Sequence, residues 1–416
     1  MKLGAKASRR WPWRNIDPLL WGIPIAMTIL AGLLIASTQR EAPLADWKNH
    51  WITGAVGLAT AALLAKIDLD KLKPLLIPIY LLTLTSLFSV KFMGTSALGA
   101  QRWISIAGLN VQPSEFAKLA AILLLAGILA NHPVERPVDL IRPLAVISLP
   151  WALVFLQPDL GTSLVYGAIV LAMLFWAGLP LPWLLLLLSP LATAIITGAL
   201  PIALLPWFGL LAFMSWRSLP WKRIGSAIAL TLNSIFALLT PFLWTHGLKD
   251  YQKDRLILFL DPSKDPLGGG YHLIQSQIGI GSGQLFGTGL MQGNLTKLQF
   301  IPEQHTDFIF SALGEELGFI GALLLLLAYG LLSWKLLQVA GIAGNDFESL
   351  VVIGILSMVM FQVVINISMT IGLGPVTGIP LPWMSYGRFA MFVNFISVGL
   401  VASVQRRAKK SGLKLR

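Results

Sequence analysis

The stretch LLWGIPIAMTILAGLLIA, residues 19–36, carries no charged residue. A helix crossing the hydrocarbon of a bilayer needs roughly 20 mostly apolar residues, so this stretch reads as a span. Eleven more follow, near 51–65, 74–91, 115–131, 143–157, 160–178, 182–199, 201–215, 225–245, 307–334, 349–372 and 385–404. Pro190, Pro201 and Pro206 interrupt the run over 182–215, which predicts a hairpin or two half-helices there. The expected fold is an all-α polytopic integral membrane protein with ten core transmembrane helices plus an extra hairpin. No repeat and no linker divides residues 1–416, so a single domain is expected. The basic, then apolar, N-terminus resembles a signal peptide, but 19–36 is too long for a signal core and more spans follow. A retained first helix is expected.

Composition supports this reading. Hydrophobic residues make up 56% of the 416 and charged residues 12%, about half the charge of a soluble domain; mean hydropathy is +0.74. A soluble enzyme, a disordered chain and a coiled coil are excluded. Cysteine is absent, which excludes disulfides, thiolate metal sites and a cysteine nucleophile.

The net charge of +12 suggests nucleic acid until the cations are placed. Lys2, Lys6, Arg9, Arg10 and Arg14 precede the first span. Lys66, Lys71, Lys73, Arg136, Arg142, Arg217, Lys222 and Arg223 sit in alternate connections, and Arg406, Arg407, Lys409, Lys410, Lys414 and Arg416 follow the last span. All fall on one face, which the positive-inside rule makes cytoplasmic. Both termini are then cytoplasmic, and no nucleic-acid partner is expected. The sixty-residue connection 247–306 falls outside, as does 92–114. Loops of such length tend to carry function.

No GxxxxGK[ST] loop is present for ATP. The glycines over 279–289 lack the strand–turn–helix setting of a dinucleotide loop, and the five histidines show no metal-binding spacing. What remains is a set of polar groups at outer helix ends. Thr306 can cap a helix starting at Asp307, and a first-turn acid offsets the helix dipole. Glu315 and Glu316 lie roughly 12–13 Å further along such a helix, where ionisable groups are costly and usually functional; helix pairing would also explain them. Arg102 with Trp103 joins an anion-binding fork to an interfacial aromatic. Ser114 and Glu115 read as cap and first-turn acid, Asp159 as the cap of the next span, and Arg255 as available to an anion. Gln362, Asn366 and Asn394 read as helix-to-helix hydrogen bonding.

Six motifs occur in order and in outer-loop context: GAQRWI (99–104), QPSEFAKLA (112–120), QPDLGTS (157–163), DPLGGGYHLIQSQIGIGSG (265–283), PEQHTDFIFSALGEELG (302–318) and GLGPVTGIPLPWMSYG (372–387). Together they resemble the SEDS family (RodA, FtsW, SpoVE) of bacterial cell-wall proteins, over residues 19–405. DPLGGGYHLIQSQ and GPVTGIPLP look more like its rod-shape branch than its division branch. Two departures stand out. Arg388 and Phe389 follow Ser385–Tyr386–Gly387 where the family usually has a second glycine and a small residue, and the hairpin over 182–215 looks inserted.

The resemblance implies a peptidoglycan glycosyltransferase that polymerises lipid II on the outer face of the bacterial cytoplasmic membrane during cell elongation and cell-shape maintenance. It assigns Asp307 as the catalytic base that removes the acceptor hydroxyl proton, with an inverting outcome. Arg102, Lys118 and Arg255 become candidates for the leaving diphosphate. Trp103, Glu115 and His305 join them as substrate-binding residues, while Asp159, Glu315 and Glu316 are structural or helix-pairing. The metal is unknown, with magnesium or manganese as an optional helper. Expected partners are lipid II, polyprenyl-linked glycan, a class B penicillin-binding transpeptidase and elongation-complex membrane proteins. A lipid II flippase and a non-catalytic scaffold for the transpeptidase are the alternatives.

Overall fold

A computed structural model describes residues 17–38, 46–97, 100–106, 108–247, 250–266, 268 and 270–410. The basic residues at 2–14 and 414–416 lie outside that set. Each of the twelve apolar stretches lies in a helix: α1 (Pro18–Thr38), α2 (Trp47–Leu64), α3 (Leu76–Met93), α4 (Pro113–Asn131), α5 (Ile141–Leu156), α6 (Leu160–Trp176), α7 (Leu181–Ala199), α8 (Leu204–Ser218), α9 (Lys222–Phe242), and, after three short helices, α13 (Ile309–Gly341), α14 (Asp346–Thr370) and α15 (Arg388–Lys410). Among the described residues nine helical segments are long and apolar enough to cross a membrane; α2, α6 and α8 are not among those nine. The chain is an all-α multi-pass membrane protein. Leu82, Leu205 and Leu238 stand among many apolar side chains exposed on the outside of the bundle, where lipid takes the place of water. α4, α14 and α15 form its centre. Ala117, Ala120, Ala121 and Ala126 of α4 let neighbouring backbones approach closely, the usual basis of helix packing in lipid.

The hairpin over 182–215 is formed by α7 and α8, packed on α9. Pro190 does not break it: α7 runs through that residue, and Pro201 opens the turn to α8. A proline inside a membrane helix is tolerated where neighbours satisfy the freed backbone groups. A polar core holds the three helices together. Thr193 Oγ1 donates to Asn233 Oδ1 at 2.5 Å, Asn233 Nδ2 to Ser189 Oγ at 2.9 Å, and Trp207 Nε1 to Thr193 Oγ1 at 2.7 Å. The trio meets the rest of the bundle chiefly through α6.

The helices alternate in direction, so the molecule has two polar ends. At one, a three-stranded antiparallel sheet fills the 92–114 connection: β1 (Gly94–Ala97), β2 (Ala100–Ile106) and β3 (Leu109–Val111), with Gly94 opposite Ile104 and Ser105 opposite Asn110. The sequence reading had no strand there. The short helices α10 (Asp250–Leu260), α11 (Tyr271–Ser282) and α12 (Asn294–Lys297) lie in the long connection at the same end.

The opposite end is tied by ion pairs, one of them buried and the others partly exposed, that the sequence reading missed. Lys335 Nζ of α13 is 2.6 Å from Asp17 Oδ2, which also accepts from Gln405 Nε2 of α15 at 2.7 Å. Arg407 pairs with Glu348 of α14 at 2.9 Å and with Asp70, which is 2.8 Å from Lys73.

α13 is two helices joined at a break. Gly318 has φ 65° and ψ −164°, a region open essentially only to glycine. Chain from the long connection fills the gap. Thr288 N donates to Glu315 O (2.9 Å), Gly289 N to Glu316 O (3.0 Å), Phe319 N to Gln284 O (2.8 Å) and Ile320 N to Leu285 O (3.1 Å). Two of the glycines over 279–289 serve close backbone approach: a Cβ on Gly283 would lie 1.9 Å from Gly314 O, and one on Gly287 2.2 Å from Glu316 O.

Candidate active site

Asp307 stands in a turn just before α13, at the end that bears the sheet. The expected helix start is displaced: α13 begins at Ile309 after Phe308, and Thr306 Oγ1 donates to Glu303 rather than capping the helix. The turn is pinned at three successive carbonyls. Tyr386 N donates to His305 O (2.8 Å), Ser385 Oγ to Thr306 O (2.6 Å) and Asn366 Nδ2 to Asp307 O (2.8 Å). The donors come from α14 and from the LPWMSYG segment that leads into α15.

The carboxyl faces the Gly374–Pro382 segment. A Cβ on Gly378 would lie 3.4 Å from Asp307 Oδ2, and Gly378 has φ 74°. That segment in turn rests on the first turn of α6, where a Cβ on Gly161 would meet Thr377 O at 2.7 Å. Asp159 is the N-cap of α6, accepting from Thr162 N at 3.2 Å and Thr162 Oγ1 at 3.0 Å. Its Oδ1 lies 3.8 Å from Arg102 Nη1 of β2, and Arg102 Nη2 donates to Pro158 O at 2.5 Å. The GAQRWI, QPDLGTS, HTDF and GPVTGIPLP motifs are therefore neighbours.

Burial pushes the Asp307 carboxyl up to about 6, and Glu303 adds to the rise while Arg255 and Arg102 oppose it. Such a group is ionised at neutral pH yet basic enough to take a proton, since an effective base has its pKa near the working pH. Burial lowers the His305 ring below its usual value, with Glu303 opposing, so the imidazole is neutral at pH 7. His305 meets Tyr386 edge-on, with ring centroids 6.1 Å apart, and Tyr386 stacks on buried His50 at 6.4 Å.

Of the expected site residues, Asp307, His305, Arg102, Asp159 and Arg255 are gathered here. Trp103 is beside Arg102 on β2. Glu115 and Lys118 form their own buried pair on α4, 2.8 Å apart, and beside them Phe116 lies against Phe389 and Phe392 of α15, with ring centroids 6.0 and 6.4 Å away. Ser114 is not a cap: α4 starts at Pro113 after Gln112. Glu315 and Glu316 face away from Asp307. Glu315 accepts from Leu295 N, Thr296 N and Thr296 Oγ1 at 2.8, 2.8 and 2.5 Å, so it caps α12. Glu316 accepts from Met291 N at 3.0 Å and from Ser37 Oγ of α1. Glu303 was not singled out from the sequence, and Ser385 and Tyr386 were noted only as part of the SYG motif, not as site residues. Glu303 lies in the PEQHTDF motif, but nothing in its spacing marks it. Asn366 was noted only as a polar residue in a span. Among the described residues no group of three or more His, Asp or Glu side chains is arranged to hold a metal.

A family model for the FtsW/RodA/SpoVE cell cycle proteins matches residues 16–218 and 207–410. The chain belongs to this family. FtsW/RodA/SpoVE relatives include the peptidoglycan glycosyltransferase MrdB of Escherichia coli K12, 34% identical over 402 residues and 96% of both chains. Another is the peptidoglycan glycosyltransferase RodA of Treponema pallidum (strain Nichols), 32% identical over 94% of this chain and 98% of its own. Solved structures agree. A chain from "Structural coordination of polymerization and crosslinking by a peptidoglycan synthase complex" superposes with a TM-score of 0.71 at 28% identity, covering 94% of this chain and 98% of its own. The rod shape determining protein RodA of Thermus thermophilus gives 0.62 at 26%, over 95% and 98%.

Proposed function

We propose that this chain is a peptidoglycan glycosyltransferase that joins lipid-linked disaccharides at its Asp307 end, with Asp307 as the general base. The observation that carries the reading is a carboxylate raised to about 6 by burial, within the electrostatic influence of Arg255 and Arg102 and held against Gly378, in the family's HTDF turn. The acceptor is a sugar hydroxyl, a poor nucleophile. As its oxygen bonds to the anomeric carbon of the donor, Asp307 accepts the proton and the lipid diphosphate departs from the opposite side, inverting the centre. Negative charge builds on the diphosphate, and Arg102 and Arg255 neutralise it. Asp159 anchors Arg102 for that task. Trp103 and His305 line the approach of the substrate, the Glu115–Lys118 pair is sealed inside the bundle and braces α4 instead of touching substrate, and Glu315 and Glu316 hold the long connection in place.

The Asp307 end faces outward and the other end the cytosol. Lys66, Lys71, Lys73, Arg136, Arg142, Arg217, Lys222, Arg223 and Arg406 lie at the second end, as the positive-inside rule requires. Both termini are then cytoplasmic, in a bacterial inner membrane. The substrate is lipid II, and the partner is a class B penicillin-binding transpeptidase within an elongation complex. The hairpin α7–α8 is an insertion relative to the family; the two pieces of the family match overlap within it, at 207–218.

Purified protein with a class B partner and lipid II should make glycan strands, and Asp307→Asn should cut the rate by about 10²–10⁴-fold at unchanged membrane level. Near-normal polymer from that variant would overturn the reading. Lipid movement between leaflets without polymer in the wild type would favour a flippase.

A further inference from the structure

The Asp307 turn is held out of α13 against the helix's own preference. A helix running back through this turn would have the Asp307 carbonyl accept from Ser311 N, four residues on. Ser311 N instead donates to Phe308 O at 2.9 Å, and the Asp307 carbonyl accepts from Asn366. The second amide hydrogen of Asn366 goes to Ile379 O, also at 2.8 Å. Asn366 is fully buried on α14, and its Oδ1 has no hydrogen-bond partner among the described residues. The side chain acts purely as a double donor, one hydrogen to the residue that carries the carboxylate and one to the segment that faces it. A buried carbonyl oxygen without a partner is unfavourable, so this arrangement is not simple helix-to-helix adhesion.

We propose that Asn366 is the positioning residue of the Asp307 carboxylate: by bridging the Asp307 and Ile379 carbonyls it stops α13 from winding back through residue 307 and keeps the carboxylate against Gly378. The inference rests on the reading of Asp307 as the base. Loss of the bridge frees the Asp307 carbonyl to rejoin the helix, which would rotate the carboxylate away from the acceptor hydroxyl. Misplacement of a reacting group by about 1 Å can cost on the order of 10²-fold in rate.

The test is a double-mutant cycle in the polymerisation assay, with kcat and KM for lipid II measured separately. Asn366→Leu keeps the branched heavy-atom skeleton and removes both donors; its kcat should fall about 10²-fold with KM within about twofold of wild type. Asn366→Ser, which keeps one donor, should fall between the two and serves if the leucine variant does not reach the membrane. Either substitution made on top of Asp307→Asn should lower the residual rate no further. An unchanged kcat, a loss carried by KM, or a further loss in the Asp307→Asn background would each overturn the proposal. Near-normal turnover of Asp307→Asn alone would remove the base reading, and this proposal with it.

Discussion

At the scale of single residues, Asp307 ties activity to pH. With its carboxyl at about 6, kcat/KM should fall roughly tenfold for each pH unit below that value and level off above it, because only the carboxylate accepts a proton. The same burial ties the residue to stability. The folded-state value lies above the ordinary carboxylate value, so the folded protein binds more protons than the unfolded chain between about 4 and 6. Stability therefore falls as pH rises through that window. Asp307→Asn should remove the penalty, stabilising the protein at pH 7 by about 3 kcal/mol at most, with the gain gone below pH 4. Thermal melts of the two forms at both pH values check this. The identity of Asp307 came from the HTDF motif. Its surroundings could not, because Asn366 and Ser385 reach its turn from 59 and 79 positions away and bond to backbone. Backbone acceptors leave no mark on side-chain spacing.

Among the elements, α13 shows what apolar patterning can and cannot reveal. The long run of apolar residues after Gly318 was legible because lipid demands it. The break was not, because it depends on chain from 284–289 folding back to bond with Glu315, Glu316, Phe319 and Ile320. The sheet escaped for a related reason: strands of three to seven residues carry little periodicity. Gly318→Ala should destabilise by about 2–3 kcal/mol from backbone strain alone, and more because its Cβ would lie 2.3 Å from Gly287 N. Gly281→Ala, inside α11 with open space around it, should be neutral or stabilising by up to about 1 kcal/mol. Melting temperatures of the two variants, side by side, separate a required glycine from a permissive one.

For the whole molecule, the ion pairs at the end remote from Asp307 fasten α1, α13 and α15 together. Asp17 and Lys335 are both nearly inaccessible to solvent. Lys335→Met should cost about 3–5 kcal/mol by stranding a buried carboxylate. Asp17→Asn combined with Lys335→Met should cost clearly less than the two single losses added, and a thermal-melt cycle measures the difference. Neither residue drew notice in the sequence, since one sits just before the first span and the other at the margin of a later one; only the folded bundle makes them partners.

The discontinuity at Gly318 has a mechanical corollary. The segment 319–341, about 34 Å of helix at 1.5 Å per residue, can tilt to suit a thinner or thicker bilayer. The part bearing Asp307 is bonded to the outer connections, which also hold the first residues of the lower segment, Phe319 and Ile320, so the tilt pivots at that tethered joint and need not be passed on. Turnover in vesicles of short and long acyl chains should then differ little, as if the catalytic turn rode on a gimbal above a mast free to lean.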